Sequence, residues 1–126
     1  IGNSSFEGCK SLHKIEISES ITSIGEGAFI GCSCLTQVII PSSVASIENR
    51  TFYMCSSLTK ITISESVISI GENDFYGCTS LKKVVIPSSV KSIGATFSIT
   101  VHRLIEYQFY HRFKQLKTIL SMAASH

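Results

Sequence analysis

Cysteine is the residue type whose spacing in this sequence most directly suggests chemistry. Four of the five cysteines recur every 23 residues, at Cys9, Cys32, Cys55 and Cys78. Evenly spaced cysteines in a short chain are compatible with disulfides or with metal binding. In stacked repeats, however, the Cβ atoms of neighbouring cysteines would lie about 4.8 Å apart, which exceeds the usual ~3.5–4.5 Å of a disulfide. The spacing therefore predicts a ladder of buried thiols that pack as small hydrophobic side chains.

The other reactive side chains do not form a recognisable catalytic or cofactor-binding motif. Cys34 makes a single C-x-C pair with Cys32, which is a weak metal or redox signal. No two histidines lie three or four residues apart, and the sequence lacks H-E-x-x-H, G-x-S-x-G and a P-loop. The recurrent serines are expected to hydrogen-bond the local backbone. We therefore expect a protein that is not an enzyme and that needs no metal or cofactor.

Composition excludes further classes of function. The chain has 44 % hydrophobic and 16 % charged residues, which is enough apolar material for a core and too much for a disordered chain. A net charge of +2 makes no strong electrostatic case for nucleic acid. The longest apolar runs are about four residues, whereas a transmembrane helix needs about 20. We expect a folded domain without a membrane span.

Six further apolar columns share the 23-residue spacing and predict a stack of repeats. They begin at Phe6, Leu12, Ile15, Ile17, Ile21 and Ile24, and each recurs three times. Segment 11–32 is similar to segment 57–78, which indicates a duplicated two-repeat unit of 46 residues. A single repeat cannot bury enough apolar surface to offset the entropy of ordering its backbone, so stacking must supply the stability.

The frame Leu-x-x-Ile/Val-x-Ile predicts one short strand in each repeat. Its two-residue alternation directs Val38 and Ile40 inward, and equivalent strands of successive repeats would pair in parallel. The Ser-Val-x-Ser-Ile stretch returns the chain and is a candidate second strand. The segment around Ala28–Cys32 is expected to close the coil as a helical or 3₁₀ turn. The predicted fold is an α/β repeat solenoid of about four coils with short parallel strands.

The whole repeat, Leu-x-x-Ile-x-Ile-Pro-x-Ser-Val-x-Ser-Ile-Gly-x-x-x-Phe-x-x-Cys, resembles the BspA-like, or Treponema-type, leucine-rich repeat. The resemblance extends over residues 1 to about 98. Glu48, where the other repeats have glycine, and Phe97, which comes one residue early, depart from the pattern. The resemblance implies a leucine-rich-repeat solenoid that binds other proteins. Many similar proteins are cell-surface proteins linked to attachment to host matrix or to other cells.

Two regions differ in character along the chain. We expect residues 1–98 to form the repeat solenoid, and residues 99–126 to form a C-terminal cap. The apolar spacing of the second region fits an amphipathic helix, and it also fits a degenerate fifth repeat. Tyr107 and Tyr110 on such a helix could dock a partner, whereas the simpler role is a lid. Because Ile1 occupies the last apolar column, the chain opens in mid-repeat, and we expect further repeats or a partner at that edge.

The outward positions of the predicted strands form the surface that is most free to bind a partner. Their lysines make a mildly basic stripe, and Ile39 and Val85 add exposed apolar contacts. Such a strip suits an acidic protein surface, and the alternative is an ordinary solvated face. The predicted protein-binding residues of this strand face are His13, Lys14, Glu16, Thr36, Gln37, Ile39, Thr59, Lys60, Thr62, Lys82, Lys83 and Val85.

Two N-glycosylation sequons bear on the compartment. Asn3 and Asn49 lie 46 residues apart in the same repeat column. The family resemblance favours a cell-surface or secreted adhesion protein. The unpaired thiols favour a cytoplasmic structural or scaffold subunit within a larger, for example cytoskeletal, assembly. Both alternatives are non-catalytic interaction roles.

Overall fold

Within the residues that the structure describes, five short strands form two parallel sheets. The computed structural model describes residues 1–82 and 84–94. The strands are β1 (Gln37–Ile39), β2 (Ser46–Ile47), β3 (Lys60–Thr62), β4 (Ser69–Ile70) and β5 (Ser92–Ile93). β1 pairs with β3, whereas β2, β4 and β5 form the second sheet in that order. The candidate second strand of the repeat is therefore confirmed.

The strand register equals the repeat length. Val38 pairs with Ile61 in the first sheet, and Ile70 pairs with Ile93 in the second, each partner lying 23 residues further along the chain. In β1 the pattern is exposed, buried, exposed, because successive side chains of a strand point to opposite sides. The predicted parallel pairing and the inward positions of Val38 and Ile40 are confirmed.

The apolar columns of the sequence form one continuous core between the two sheets. Phe29, Phe52 and Phe75 are fully buried, and their rings stack in register with Phe6. Successive ring centroids lie 5.3, 5.6 and 6.2 Å apart, with interplanar angles of 4° or less. Such centroid spacings fall within the range of favourable aromatic pairs. Each repeat therefore contributes one layer to a core that continues through its neighbours.

The turns that carry these phenylalanines are not helical, so the predicted helical or 3₁₀ turn is wrong. Among the described residues there is no helix, and the α part of the α/β prediction is not found there. The reason is the backbone: Gly27 and Gly31 have φ of 65° and 68°, so left-handed residues interrupt the turn. Tight turns result, such as the one closed by Ala28 N–H donating to Gly25 O at 3.2 Å.

Serine hydroxyls connect successive repeats rather than bonding only locally. Ser43, Ser66 and Ser89 each donate to a carbonyl oxygen 22 residues earlier, at 2.5, 3.0 and 2.7 Å. The expected local bonding occurs at Ser18 and Ser64, whose hydroxyls accept a backbone N–H two residues on. The serine column thus satisfies carbonyl groups of the preceding repeat.

Contacts between a glutamate carboxylate and a serine of the next repeat recur with the 46-residue period. Glu19 Oε2 accepts the hydroxyl of Ser42 at 2.8 Å, and its other oxygen accepts the Ser42 N–H at 3.4 Å. Two repeats later, Glu65 Oε2 accepts the hydroxyl of Ser88 at 3.4 Å. Alternate repeats therefore carry the acceptor and the donor of the same contact.

The predicted cap over residues 99–126, as a helix or a fifth repeat, lies outside the described residues.

Candidate protein-binding surface

The strand face is exposed along the part of the chain that the structure describes. Lys14 forms an isolated parallel bridge with Gln37, and Gln37 pairs with Lys60 in the first sheet. These three side chains therefore form one row across three repeats. Lys83 lies outside the described residues. The other predicted members are all exposed: His13, Lys14, Glu16, Thr36, Gln37, Ile39, Thr59, Lys60, Thr62, Lys82 and Val85.

The adjacent row of the strand face alternates polar and apolar side chains. It runs through Glu16, Ile39, Thr62 and Val85, and the register pairs Ile39 with Thr62 directly. Ile39 is 65 % exposed and Val85 is 44 % exposed, although both are branched aliphatic residues. Single exposed apolar side chains are common on protein surfaces. Here, however, the two occur at the same repeat position, 46 residues apart.

Two predicted members of the strand face already have an intramolecular role. The Thr36 hydroxyl donates to His13 O at 3.1 Å, and the Thr59 hydroxyl donates to Thr36 O at 3.0 Å. These bonds join successive repeats beside the sheet. Their hydroxyl protons are therefore already used within the chain.

Two depressions lie beside these rows at equivalent places. One, of about 450 Å³, is lined by Lys14, Glu16 and Ile39 among others. The second, of about 400 Å³, is lined by Lys60, Thr62 and Val85 among others. Each member of the first trio is 46 residues before its counterpart in the second. The two-repeat period therefore produces two similar depressions on one face.

Three of the four thiols in the ladder are buried, and the first, Cys9, is half-buried. All five cysteines are free, and Cys32, Cys55 and Cys78 are fully buried. Each of these three thiols donates to the carbonyl oxygen of a phenylalanine 26 residues earlier, at 3.0 to 3.2 Å. Burial raises the pKa of Cys78 to about 12 and also raises the pKa of Cys32 and Cys55. The thiols thus act as hydrogen-bond donors as well as small hydrophobic side chains.

In the described part of the chain, no three His, Cys, Asp or Glu side chains are grouped so that they could hold a metal ion. Cys34, the second member of the C-x-C pair, is half-buried. Within the same residues, no helix has the length and apolarity to cross a membrane.

The two sequon asparagines contact the following repeat. Asn3 Oδ1 accepts the N–H of Glu26 at 2.9 Å, and Asn49 Oδ1 accepts the N–H of Glu72 at 2.9 Å. Both asparagines are exposed. Their carbonyl oxygens therefore have a structural role, and glycosylation of these residues stays a prediction. Tyr107 and Tyr110, the possible docking residues, lie outside the described residues.

Sequence reasoning missed Asp74, which is a buried carboxyl group in the turn region. It is 2 % exposed, and its two oxygens accept the N–H of Thr51 at 2.9 Å and of Gly71 at 2.8 Å. Burial, with a smaller contribution from the charge of the nearby Glu48, raises its pKa to about 8, against the lowering effect of these two N–H donors. The equivalent positions hold Ser5, Ala28 and Thr51, so no repeated pattern in the sequence marked this site.

A second missed feature is an aromatic surface at the same turn. The rings of Tyr53 and Tyr76 stack with centroids 5.2 Å apart. Beside them Met54 is 45 % exposed and has a φ of 61°, at a position where the other repeats have Gly8, Gly31 and Gly77. The 23-residue spacing of the tyrosines was the signal that could have revealed the pair.

The parallel strands at 23-residue register, the phenylalanine stack and the cysteine ladder agree with a known repeat family. The family model of the BspA-type leucine-rich repeat region matches residues 1–120 with six copies. The chain belongs to the BspA-type leucine-rich repeat family. Proteins of this family are generally interaction and surface proteins, and the repeat is typically non-enzymatic.

Solved structures of bacterial leucine-rich-repeat proteins are similar to this chain. A protein from Treponema pallidum is 37 % identical with a TM-score of 0.73, over 75 % of this chain and 44 % of its own. One from Bacteroides ovatus is 33 % identical with a TM-score of 0.76, over 84 % and 28 %. A leucine-rich cell-surface protein from Faecalibacterium prausnitzii is 32 % identical with a TM-score of 0.60, over 83 % and 35 %.

The BspA-type chain corresponds to part of each of these structures, since it spans less than half of their lengths. No curated protein matches it. The ligands of those three larger proteins are therefore not assigned to this chain.

Proposed function

We propose that this BspA-type chain is a non-catalytic protein-binding module of a cell-surface or secreted adhesion protein, and that it binds its partner through the strand face. The module is a solenoid of about four coils, with residues 99–126 as its C-terminal cap. The observation that carries the proposal is the pair of exposed aliphatic side chains, Ile39 and Val85, beside the row of Lys14, Gln37 and Lys60. Leucine-rich-repeat domains generally mediate protein interactions.

The charges of the strand face favour an acidic partner. Lys14, Lys60 and Lys82 are exposed, and Glu16 is the acidic residue of the strand-face positions. Complementary charge accelerates association and discriminates between partners, while the apolar contacts supply affinity. A partner with acidic residues around aliphatic ones therefore fits this surface.

A charge-reversal experiment tests this assignment. Acidic, aliphatic-rich peptides displayed on phage would be selected on the unmodified protein and then measured on two variants. The first variant carries Lys14→Glu, Lys60→Glu and Lys82→Glu. The matched control carries Lys10→Glu, Arg50→Glu and Lys91→Glu, which makes the same change in net charge at exposed positions outside the strand face. Loss of binding in the first variant alone supports the proposal, whereas equal binding to both variants rejects the strand face.

A second candidate is a cytoplasmic scaffold subunit of a larger assembly. The observation that favours it is the absence of any disulfide among the five cysteines. Intact mass of the protein, alkylated in denaturant without reduction, separates the two. Five alkyl groups and no glycan would favour the scaffold, whereas sugar on Asn3 or Asn49 would favour the secretory route.

A further inference from the structure

The two depressions of the strand face are spaced by two repeats, and that spacing restricts what can occupy both. Ile39 borders the first depression and Val85 borders the second. Adjacent parallel strands lie about 4.8 Å apart, so two repeats separate these side chains by about 9.6 Å along the stack. A partner that runs across the strands must therefore present apolar groups on one side at about that interval.

The common backbone conformations differ in how closely the spacing of their same-side residues matches this interval. A polyproline II segment has three residues per turn and a rise of about 3.1 Å, so every third residue faces the same side about 9.3 Å further on. A β-strand presents same-side residues at about 6.6 and 13.2 Å, and neither fits. An α-helix returns to the same side after seven residues, about 10.5 Å, which is about 1 Å too long. The side chains on its intermediate turn would also contact the polar Thr62, which lies between Ile39 and Val85.

We propose that the strand face binds an acidic, proline-rich segment in the polyproline II conformation, which lies across the strands and places an apolar side group beside Ile39 and another, three residues later, beside Val85. This inference rests on the proposed function, because it names the partner of the same surface. Of the other two residues in each turn, one is proline and the other carries the acidic group, within reach of Lys14, Lys60 and Lys82.

Hydrogen-bonding capacity agrees with this occupant. A polyproline II segment makes no internal hydrogen bonds, so its carbonyl groups point outward and need donors. The strand face offers the ammonium groups of Lys14 and Lys60 and the amide of Gln37 in one row. The segment is also extended before it binds, so little conformational entropy is lost on association. The donors and the spacing thus favour the same class of ligand.

Fluorescein-labelled peptides of about 12 residues test the inference by anisotropy titration. The first repeats Leu-Pro-Glu, which sets an apolar side chain at every third position. The second has the same composition in scrambled order, and the third is an acidic, alanine-rich helical peptide with leucine at every seventh position. We expect the first peptide to bind about tenfold more tightly than the other two, since only it reaches both depressions.

Variants at the two aliphatic positions locate the binding. Ile39→Thr with Val85→Thr gives both positions the side chain that Thr62 already has at the equivalent position of the repeat between them. The control is Ile68→Thr, at a residue that is 50 % exposed but lies outside the strand face. The double variant is expected to bind the Leu-Pro-Glu peptide about tenfold more weakly, and the control to bind it unchanged. Far-UV circular dichroism verifies that all variants remain folded.

The possible failures are distinguishable. If the scrambled or helical peptide binds as tightly as the first, and this binding depends on Ile39 and Val85, then the polyproline II inference is wrong and the proposed function stands. If neither the aliphatic substitutions nor reversal of Lys14, Lys60 and Lys82 changes the binding of any peptide, both are overturned.

Discussion

Asp74 Oδ1 accepts the backbone N–H of Thr51 at 2.9 Å, and the two residues belong to successive repeats. Both are buried, and the second carboxyl oxygen of Asp74 accepts the N–H of Gly71 at 2.8 Å. One side chain therefore satisfies two backbone donors in the interior of the turn region. This contact couples a titratable group to the stacking of neighbouring repeats.

Stability should depend on pH through Asp74. Its pKa is about 8 in the folded protein, against an ordinary value of 3.8, because burial disfavours the charged form. Between these values the folded state holds the proton more tightly than the unfolded state. As far as this group is concerned, the free energy of unfolding is therefore highest below pH 4. It falls as pH rises from about 4 toward 8, by up to about 1.4 kcal/mol per pH unit.

Urea unfolding at pH 5 and pH 8, followed by far-UV circular dichroism, measures this effect. Asp74→Asn is the control, because it cannot ionise. It should lower stability at pH 5 by about 1–3 kcal/mol, since its NH₂ group cannot accept one of the two N–H donors, and its stability should vary less with pH. An Asp74→Asn protein with the same pH dependence as the unmodified protein would exclude Asp74 as the cause.

Thiol reactivity should divide the cysteines into two groups. Cys32, Cys55 and Cys78 are fully buried and have raised pKa values, whereas Cys9 and Cys34 are half-buried. Because the thiolate is the reactive form, iodoacetamide should modify Cys9 and Cys34 first in the native protein. Peptide mass spectrometry identifies the modified residues, and all five should react in denaturant. Early modification of Cys55 in the native protein would contradict the buried ladder.

The left-handed backbone conformation of Met54 should lower the free energy of unfolding. Its φ is 61°, in a column where Gly8, Gly31 and Gly77 adopt the same left-handed region. A non-glycine residue there costs about 1–2 kcal/mol. Met54→Gly should therefore be more stable than Met54→Ala by about 1 kcal/mol, since both remove the side chain and only glycine relieves the strain. Chemical denaturation compares them, and an equal or lower midpoint for the glycine variant would refute the explanation.

Gly71 should tolerate no side chain. A Cβ added there would lie 2.6 Å from both the backbone nitrogen and Oδ1 of Asn49, closer than atoms can pack. Gly71→Ala should therefore displace the Asn49 contact to Glu72 and destabilise the protein by about 1–3 kcal/mol. Gly2→Ala is the control, since its added Cβ would meet only the Ser5 hydroxyl at 3.3 Å. Thermal unfolding of the two variants gives the comparison, and similar losses would argue against the close approach.

The recurrence of apolar residues by itself determined the repeat length, the inward strand positions and the parallel register. Val38 and Ile61 illustrate this, because a buried residue that recurs every 23 positions must face the same core in each repeat. The same recurrence predicted the burial of Cys32, Cys55 and Cys78, whereas Cys9, in the first repeat, is half-buried. These features depend on alternation along one strand and on identity between repeats, and both are readable from a single chain.

Only the tertiary structure decided which polar groups satisfy one another. The Cys55 thiol donates to Phe29 O, 26 residues away, and Asp74 accepts from Thr51, 23 residues away. The helical turn was predicted wrongly for the same reason: left-handed residues and hydrogen bonds to the next repeat replace a local helix. Hydrogen bonds are directional and short, so their partners depend on how one repeat lies on the next, which periodicity along the chain does not specify.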